Sequence, residues 1–172
     1  MNVEVVKVPL EEKQILTNLV KMYCYEWSQY NKYDVNDKGD YEFEYQLSSF
    51  WKKEKHYPFF IKVDGILAGF VLIDDDFKLY QNSDYAISEF FVMYKYRRTG
   101  VGRKAAKIMF DMFRGKWEIV RHPYNGNSIR FWNSVVEEYT NGKYEIINDC
   151  SDAVYPDGIC ADIVSFENYL SK

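Results

Sequence analysis

Residues 89–107 read EFFVMYKYRRTGVGRKAAK, and the rest of the chain is interpreted outward from this segment. It begins with strand-forming aromatic residues, passes through a basic loop and ends in alanines typical of a helix. Gly100 and Gly102 stand at the entrance to that helix, where unpaired backbone N–H groups and the helix dipole favour an anion. Strand, basic glycine loop and helix together predict a cradle for a pyrophosphate group. The alternative is a surface turn that leads into a solvated basic helix.

The same segment concentrates positive charge in an acidic chain. Lys95 to Lys107 contains six basic residues and no acidic one, whereas the whole chain has 22 basic and 26 acidic residues and a net charge of −4. Subtracting +6 from −4 leaves −10 for the remainder. This contrast predicts a local anionic ligand. Nucleic acid is not expected as a partner, because a duplex needs a broad basic face and the acidic remainder would repel it.

The composition is that of one globular domain with an ordinary hydrophobic core. The chain has 172 residues, 47% of them apolar and 28% charged, which is enough for a core without disulfide or metal staples. Three cysteines form no Cys-x-x-Cys pair and two histidines have no zinc-ligand spacing, so we expect no metal. We find no signal peptide and no run of about 18 apolar residues. We therefore expect a cytoplasmic protein that does not enter a membrane.

Upstream of the basic segment, strand and helix signals alternate. A run of valines at 3–8 predicts a strand, and apolar residues at three-to-four spacing predict a helix that continues to about Tyr30. A second, shorter helix is expected to end before Pro58, because the residue before a proline avoids the helical region. Asp64-Gly65 lies between two β-rich runs and predicts a hairpin. The apolar positions of the second helix are Phe43, Leu47, Phe50 and Trp51.

Downstream, the pattern predicts a mixed sheet. Residues 84–93 read as a strand whose double phenylalanine indicates burial on both faces or a bulge. Helices are predicted over 104–113 and 127–139. Further strands are predicted over 117–120, 144–147 and 163–166. The result is a single α/β domain.

Two motifs in this frame resemble one known family. The run from Phe91-Val92 to Tyr96-Arg97-Arg98-Thr99-Gly100-Val101-Gly102 resembles the acetyl-CoA motif of the GNAT N-acetyltransferase superfamily, in which Arg or Gln precedes two residues, Gly, one residue, and Gly or Ala. Where members usually carry Asn, Ala, Ile, a large apolar residue and Tyr, this chain has Asn125, Ser128, Ile129, Phe131 and Trp132. The resemblance implies one GNAT-like domain over 1–172. That fold is a mixed, mostly antiparallel central sheet of six to seven strands, with about four helices on both faces.

The resemblance also implies acetyl-CoA as cosubstrate. The backbone amides from Arg98 to Gly102 would hold its pyrophosphate, and the main chain of Phe91 and Val92 would hydrogen-bond its pantetheine arm. A homodimer is compatible with this family. The residues implied to bind the cosubstrate are Phe91, Val92, Arg97, Arg98, Thr99, Gly100, Val101, Gly102, Arg103, Lys104, Asn125, Ser128, Phe131 and Trp132, with Ile129 beside them.

The implied reaction is direct attack of a primary amine on the thioester. Glu89 is the candidate general base, acting through water, and its alternative reading is an exposed strand carboxylate without a role. By resemblance, the Val92 N–H would stabilise the oxyanion. Trp132 occupies the position where the family commonly has a tyrosine acid, and an indole N–H cannot deliver a proton. Tyr124 and Tyr139 are the candidate substitutes.

The acceptor is expected beside the first two helices, where aromatic and acidic residues alternate and would suit a cationic amine. An amphipathic helix with a solvated acidic face gives the same pattern. His56 and His122 flank loops and are predicted to lie at the surface. The residues on the acceptor side are Tyr30, Tyr33, Asp34, Asp37, Asp40, Tyr41, Glu42, Phe43, Glu44 and Tyr45.

Two other functions remain open at this point. Gly100, Gly102 and Ala105 satisfy the Gly-x-Gly-x-x-Ala pattern of nicotinamide and flavin enzymes. That fingerprint starts at the end of its strand, however, whereas 94–99 intervene here. The second is a non-catalytic module that binds acyl-CoA for regulation. It is suggested by the tryptophan at position 132.

Overall fold

A computed structural model of the protein describes residues 1–41, 47–75 and 83–169. Seven strands form one sheet in the order β1-β2-β3-β4-β5-β7-β6, and every neighbouring pair is antiparallel except β4 and β5. The predicted mixed, mostly antiparallel sheet is therefore confirmed. The strands are β1 Val3–Lys7, β2 Tyr57–Val63, β3 Ile66–Asp74, β4 Tyr85–Val92, β5 Lys116–Arg121, β6 Glu145–Val154 and β7 Cys160–Glu167.

The described residues contain three α-helices, one fewer than predicted. They are α1 Lys13–Asn31, α2 Val101–Met112 and α3 Gly126–Thr140. In place of the predicted second helix, the described residues have a 3₁₀ turn over Leu47–Trp51; Phe43 lies outside them. One short turn buries Leu47 and Phe50. The Trp51 indole N–H also donates to the Val8 carbonyl. The turn is therefore anchored by this bond and by its buried side chains, and the chain enters the strand that contains Pro58 without a longer helix.

The helices cover both faces of the sheet. α1 packs on one face, over a cluster that includes Phe70, Leu72 and Phe91. α2 and α3 pack on the other face, over a larger cluster that includes Trp117 and Ile119. Successive side chains of a strand point to opposite faces. Along β4 and along β5, one residue therefore faces α1 and the next faces α2 and α3. No helix of the described residues is long and apolar enough to cross a membrane.

Two glycines allow neighbouring strands to meet, one in the turn between β2 and β3 and one where β3 approaches β4. Asp64 and Gly65 have φ values of 50° and 80°, as a tight two-residue hairpin turn requires, and this confirms the predicted hairpin. Gly69 on β3 lies so close to β4 that a Cβ there would be 1.9 Å from the Phe91 carbonyl oxygen. Only glycine permits this approach.

The parallel pair β4 and β5 opens into a fork. The two strands pair only where Tyr85 to Ile87 face Trp117 to Ile119, and they diverge after that. β4 carries a bulge at the opening, because Leu72 pairs with Glu89 and Ile73 pairs with Ile87, leaving Ser88 as the extra residue. The last residues of β4 therefore have a strand neighbour on one edge and an open gap on the other.

Candidate active site

The gap between β4 and β5 leads into a cleft of about 1150 Å³. Its walls come from α1, the second half of β4, the basic loop, the end of β5, the start of α3 and the turn after β6. The cleft has walls from both faces of the sheet, since α1 lies on one face and α3 on the other. Most of the predicted cosubstrate residues and Glu89 line this one cleft.

β4 turns unpaired backbone groups toward the gap. The Met93 N–H donates to the Ala68 carbonyl at 2.8 Å, so Met93 faces β3. Because hydrogen-bonding direction alternates along an antiparallel strand, Phe91 also faces β3, whereas Phe90 and Val92 face the gap. The main chain of Phe91, predicted to bind the cosubstrate, therefore faces β3, whereas Phe90 and the Val92 N–H are directed into the gap.

The basic loop has the conformation of an anion cradle. Arg98 and Gly100 have φ values of 60° and 87°, which bend the chain sharply before α2. The Lys104 N–H donates to the Gly100 carbonyl at 3.0 Å, and the backbone N–H groups just before it belong to the helix turn that has no helical acceptor. A Cβ on Gly102 would lie 3.2 Å from the Phe131 ring, so α3 packs directly against the loop.

Arg97 is held by the protein. Its guanidinium donates to both carboxylate oxygens of Glu26 on α1, at 2.8 and 2.7 Å, and its Nε donates to the Val92 carbonyl at 2.6 Å. It also lies 4.1 Å from the centre of the Tyr94 ring. Arg97 therefore joins α1 to the end of β4, and Val92 keeps only its N–H for a ligand.

The other basic residues divide into two groups. Arg103 and Lys107 both bond the Glu138 carboxylate on α3, and this lowers the pKa of Glu138. Arg98 and Lys104 are exposed, and no ion pair to either is recorded among the residues that the structure describes. Lys95 is exposed as well, but of these three residues Arg98 alone lines the cleft, so it is the cation most available to an anion bound there.

The α3 side of the cleft has a polar end at Asn125, Asn127 and Ser128 and an apolar wall at Phe131 and Trp132. The Asn125 side chain accepts the Ser128 N–H at 3.0 Å and so begins α3. Phe131 and Trp132 pack on Phe90, with ring centres 5.6 and 5.1 Å apart. Trp132 is only 5% exposed. Its side chain is part of the hydrophobic core and also lines the cleft.

Glu89 lies on the α1 side of the cleft and is 8% exposed. This excludes its alternative reading as an exposed carboxylate. Cys24 of α1 also lines the cleft, and burial, then the charges of Glu89 and Asp40, raise the pKa of its thiol to about 12. Burial and the Glu89 charge likewise raise the pKa of Tyr155. These shifts locate negative charge in this part of the cleft.

Some predicted residues do not reach the cleft. Tyr124 is 70% exposed and is not part of the lining. Tyr139 bonds Asp111 at 2.9 Å, away from the cleft. Three loop residues do not line the cleft: Thr99, Val101 and Lys104. The Thr99 hydroxyl donates to the Tyr96 carbonyl, and Val101, the first residue of α2, is buried.

The predicted acceptor side is found in part. Tyr30, Tyr33 and Tyr41 line the cleft, whereas Asp34 and Asp37 are exposed outside it. Asp40 is partly exposed and pairs with Lys21. The predicted positions Glu42, Phe43, Glu44 and Tyr45 lie outside the described residues.

Among the cleft residues that sequence reasoning missed are Trp27, His122 and Tyr155. The surface prediction for both histidines is wrong, since His56 is 4% exposed and His122 is 1% exposed. His122 directly follows the carboxyl end of β5, and that position could have been a signal. Trp27 was assigned only to a buried helix face.

Across 1–41, 47–75 and 83–169, no group of three or more His, Cys, Asp or Glu side chains is arranged to hold a metal ion.

Comparisons with known proteins agree with this geometry. A family model described as the acetyltransferase (GNAT) family matches residues 19–135. No curated protein sequence matches the chain. An acetyltransferase from Thermus thermophilus has a TM-score of 0.68 at 11% identity, covering 97% of each chain.

Two further solved structures are similar over nearly their whole lengths. The ribosomal-protein-S18-alanine N-acetyltransferase from Escherichia coli has a TM-score of 0.57 at 14% identity, covering 99% of this chain and 97% of the other. The PaiA N-acetyltransferase from Thermoplasma acidophilum, solved with coenzyme A, has a TM-score of 0.57 at 13% identity, covering 97% of this chain and 99% of the other.

Proposed function

Because the chain belongs to the GNAT acetyltransferase family, we propose that it transfers an acetyl group from acetyl-CoA to a primary amine by direct attack. The observation that carries the proposal is the open fork between β4 and β5. A glycine loop suited to an anion lies at one side of it and the buried Glu89 at the other. In this proposal, acetyl-CoA lies on the loop side of the fork, and the amine reaches it from the Glu89 side.

The cleft fits coenzyme A. The left-handed turn at Arg98 and Gly100 exposes the first amides of α2, and amides at a helix start suit a pyrophosphate. Phe90 supplies strand groups for the amides of a pantetheine arm, and the Val92 N–H is left for the thioester end of the ligand. A structurally similar acetyltransferase was solved with coenzyme A, which supports this assignment.

When bound, acetyl-CoA supplies a thioester carbonyl as the electrophile. Glu89 takes one proton of the ammonium through a water, so that the neutral amine can form the new C–N bond at the thioester carbon. The C–S bond then breaks, coenzyme A leaves as a thiolate, and the remaining excess proton on nitrogen passes to the water or to that thiolate. The Val92 N–H points into the gap and stabilises negative charge that develops on the carbonyl oxygen. Trp132 keeps water away but provides no proton.

The acceptor is a cationic amine in this proposal. Tyr30 and Trp27 present aromatic rings to the cleft, and Glu89 supplies a carboxylate, whereas the Glu26 carboxylate is already paired with Arg97. Aromatic faces and carboxylates both attract an ammonium group. The exposed acids Asp34 and Asp37 are too far out to line this side.

Glu89→Gln tests the proposed function. We expect acetyl-CoA and a panel of amines to release free thiol with the wild type, and kcat to fall by about 10²–10³ in the variant because the base is lost. The affinity for coenzyme A should not change. Glu145→Gln is the matched control, since Glu145 is an exposed strand glutamate on β6.

Titrations with coenzyme A and NADH separate the alternatives. Stabilisation by coenzyme A without thiol release for any amine would support a non-catalytic binding module. Stabilisation by NADH alone would support a dinucleotide enzyme and overturn the proposal.

A further inference from the structure

A buried imidazole holds the turn between β6 and β7 against the cleft. The side chain of His122 is fully buried, and its Nε2 lies 2.9 Å from Oδ2 of Asp157 in that turn. Its Nδ1 accepts the Tyr124 backbone N–H at 3.3 Å. Because Nδ1 is an acceptor, the ring hydrogen is on Nε2 and is donated to Asp157. The pairing fixes the orientation of the ring.

Asp157 also organises the turn itself. Its Oδ1 accepts the Ile159 N–H at 3.1 Å, while Tyr155 and Ile159 are joined by a backbone bond of 2.8 Å. The Gly158 N–H donates to the Tyr155 carbonyl at 2.8 Å. One carboxylate therefore links the conformation of the turn to the buried histidine.

The residue that this linkage places in the cleft is Tyr155. Its ring centre lies 4.8 Å from that of His122 and 5.7 Å from that of Trp27 on α1. Trp27 also contacts His122 edge-on, at 5.9 Å. Trp27, His122 and Tyr155 thus form one aromatic group that joins α1, the end of β5 and the turn.

This aromatic group lies on the same face of the sheet as Glu89. The side chains of Glu89 and Phe91 share a face of β4, and Tyr23 of α1 packs on the Phe91 ring at 6.1 Å. The Glu89 charge is close enough to raise the pKa of Tyr155. Two rings beside a buried carboxylate attract an alkylammonium and do not favour an anionic acceptor.

We propose that His122 and Asp157 are positioning residues that hold Tyr155 beside Trp27, so that the two rings receive the ammonium of the acceptor next to Glu89. The proposal rests on the proposed acetyl transfer and adds to it a specificity-determining residue, Tyr155, from the distant end of the chain. A purely structural role for the pair would stabilise the hairpin without affecting one substrate more than the other.

The first experiment compares Tyr155→Leu with Tyr155→Phe. The leucine variant removes the aromatic face, and we expect the KM for a diamine such as 1,4-diaminobutane to rise about tenfold. The phenylalanine variant keeps the face and should stay within about twofold of the wild type. The KM for acetyl-CoA should be unchanged in both. Equal KM values for the amine in both variants and the wild type would overturn the proposal.

The second experiment tests the positioning pair. Asp157→Ala should raise the KM for the amine by about the same factor as Tyr155→Leu, whereas Asp157→Asn retains an oxygen acceptor for Nε2 and should recover most of the loss. The matched control is Asp152→Asn, an exposed acid on β6 of the same hairpin. A parallel rise in both KM values for Asp157→Ala would indicate general damage and contradict the proposal.

Direct binding separates this inference from the proposed reaction. If the wild type releases no thiol with any amine, acetyl transfer fails as the function. Calorimetric titration with 1,4-diaminobutane then decides the positioning role. Binding by the wild type that is lost in Tyr155→Leu and Asp157→Ala would support the inference, and no binding by the wild type would overturn it.

Discussion

At the scale of single residues, burial and nearby negative charge set the pKa of one thiol in the cleft, that of Cys24. Burial is the main cause of the raised pKa of Cys24, and Glu89 and Asp40 add negative charge near it. Only a thiolate reacts readily with electrophiles, and a pKa of about 12 leaves roughly one thiol in ten thousand ionised at pH 8. The reactivity of the Cys24 thiol therefore depends on the charge of Glu89, and it can be measured without catalytic turnover.

We predict that Glu89→Gln accelerates the modification of Cys24 by a disulfide reagent at pH 8. Removing a negative charge favours the thiolate and lowers the pKa of the thiol, so we expect the rate to rise about threefold or more. Peptide mass spectrometry distinguishes Cys24 from Cys150 and Cys160. The rate should be unchanged in Glu145→Gln. An unchanged rate in Glu89→Gln would mean that the Glu89 charge does not reach Cys24.

At the scale of elements, the fork depends on the close contact of β3 and β4. The contact is possible because Gly69 has no side chain where the Phe91 carbonyl approaches. The Arg97 bonds to Glu26 and Val92 then fix the free end of β4 against α1. Strand spacing and ion pair together determine where the gap-facing groups lie.

We predict that Gly69→Ala destabilises the fold by about 3 kcal/mol or more, because the added Cβ meets a backbone oxygen that cannot move independently of β4. Gly126→Ala is the matched control, since its Cβ would meet only the Arg130 side chain at 3.5 Å. The free energy of unfolding from urea denaturation measures both. A cost below about 1 kcal/mol for Gly69→Ala would show that β3 and β4 separate easily.

At the scale of the whole molecule, local features were predictable and long-range ones were not. The hairpin at Asp64-Gly65 and the glycine loop before α2 are encoded by neighbouring residues, so the sequence was sufficient for them. The fork needs the bulge at Ser88 and the partner order of seven strands, which periodicity does not contain. His122 and Asp157 are 35 positions apart and meet only through the order β5-β7-β6.

The charge distribution acts at the same scale. The basic segment was predicted as one block of positive charge, but Glu26 neutralises Arg97, and Glu138 pairs with both Arg103 and Lys107 and offsets one of their two charges. The rest of the chain is strongly acidic and would repel a polyanion at long range. At about 0.1 M salt that repulsion is screened beyond about 10 Å, whereas cations in contact with the ligand are not.

Arg98 should therefore determine the affinity for coenzyme A more than the net charge does. We predict that Arg98→Ala raises the dissociation constant of coenzyme A about tenfold at about 0.1 M salt, since it removes an unpaired cation beside the pyrophosphate. Lys143→Ala removes the same charge from an exposed position after α3 and should change the constant less than about twofold. Calorimetric titration at two salt concentrations measures both, and the difference between the variants should persist at higher salt. Equal weakening by both substitutions would mean that coenzyme A responds to the total charge of the protein, and the cradle at the start of α2 would lose its main support.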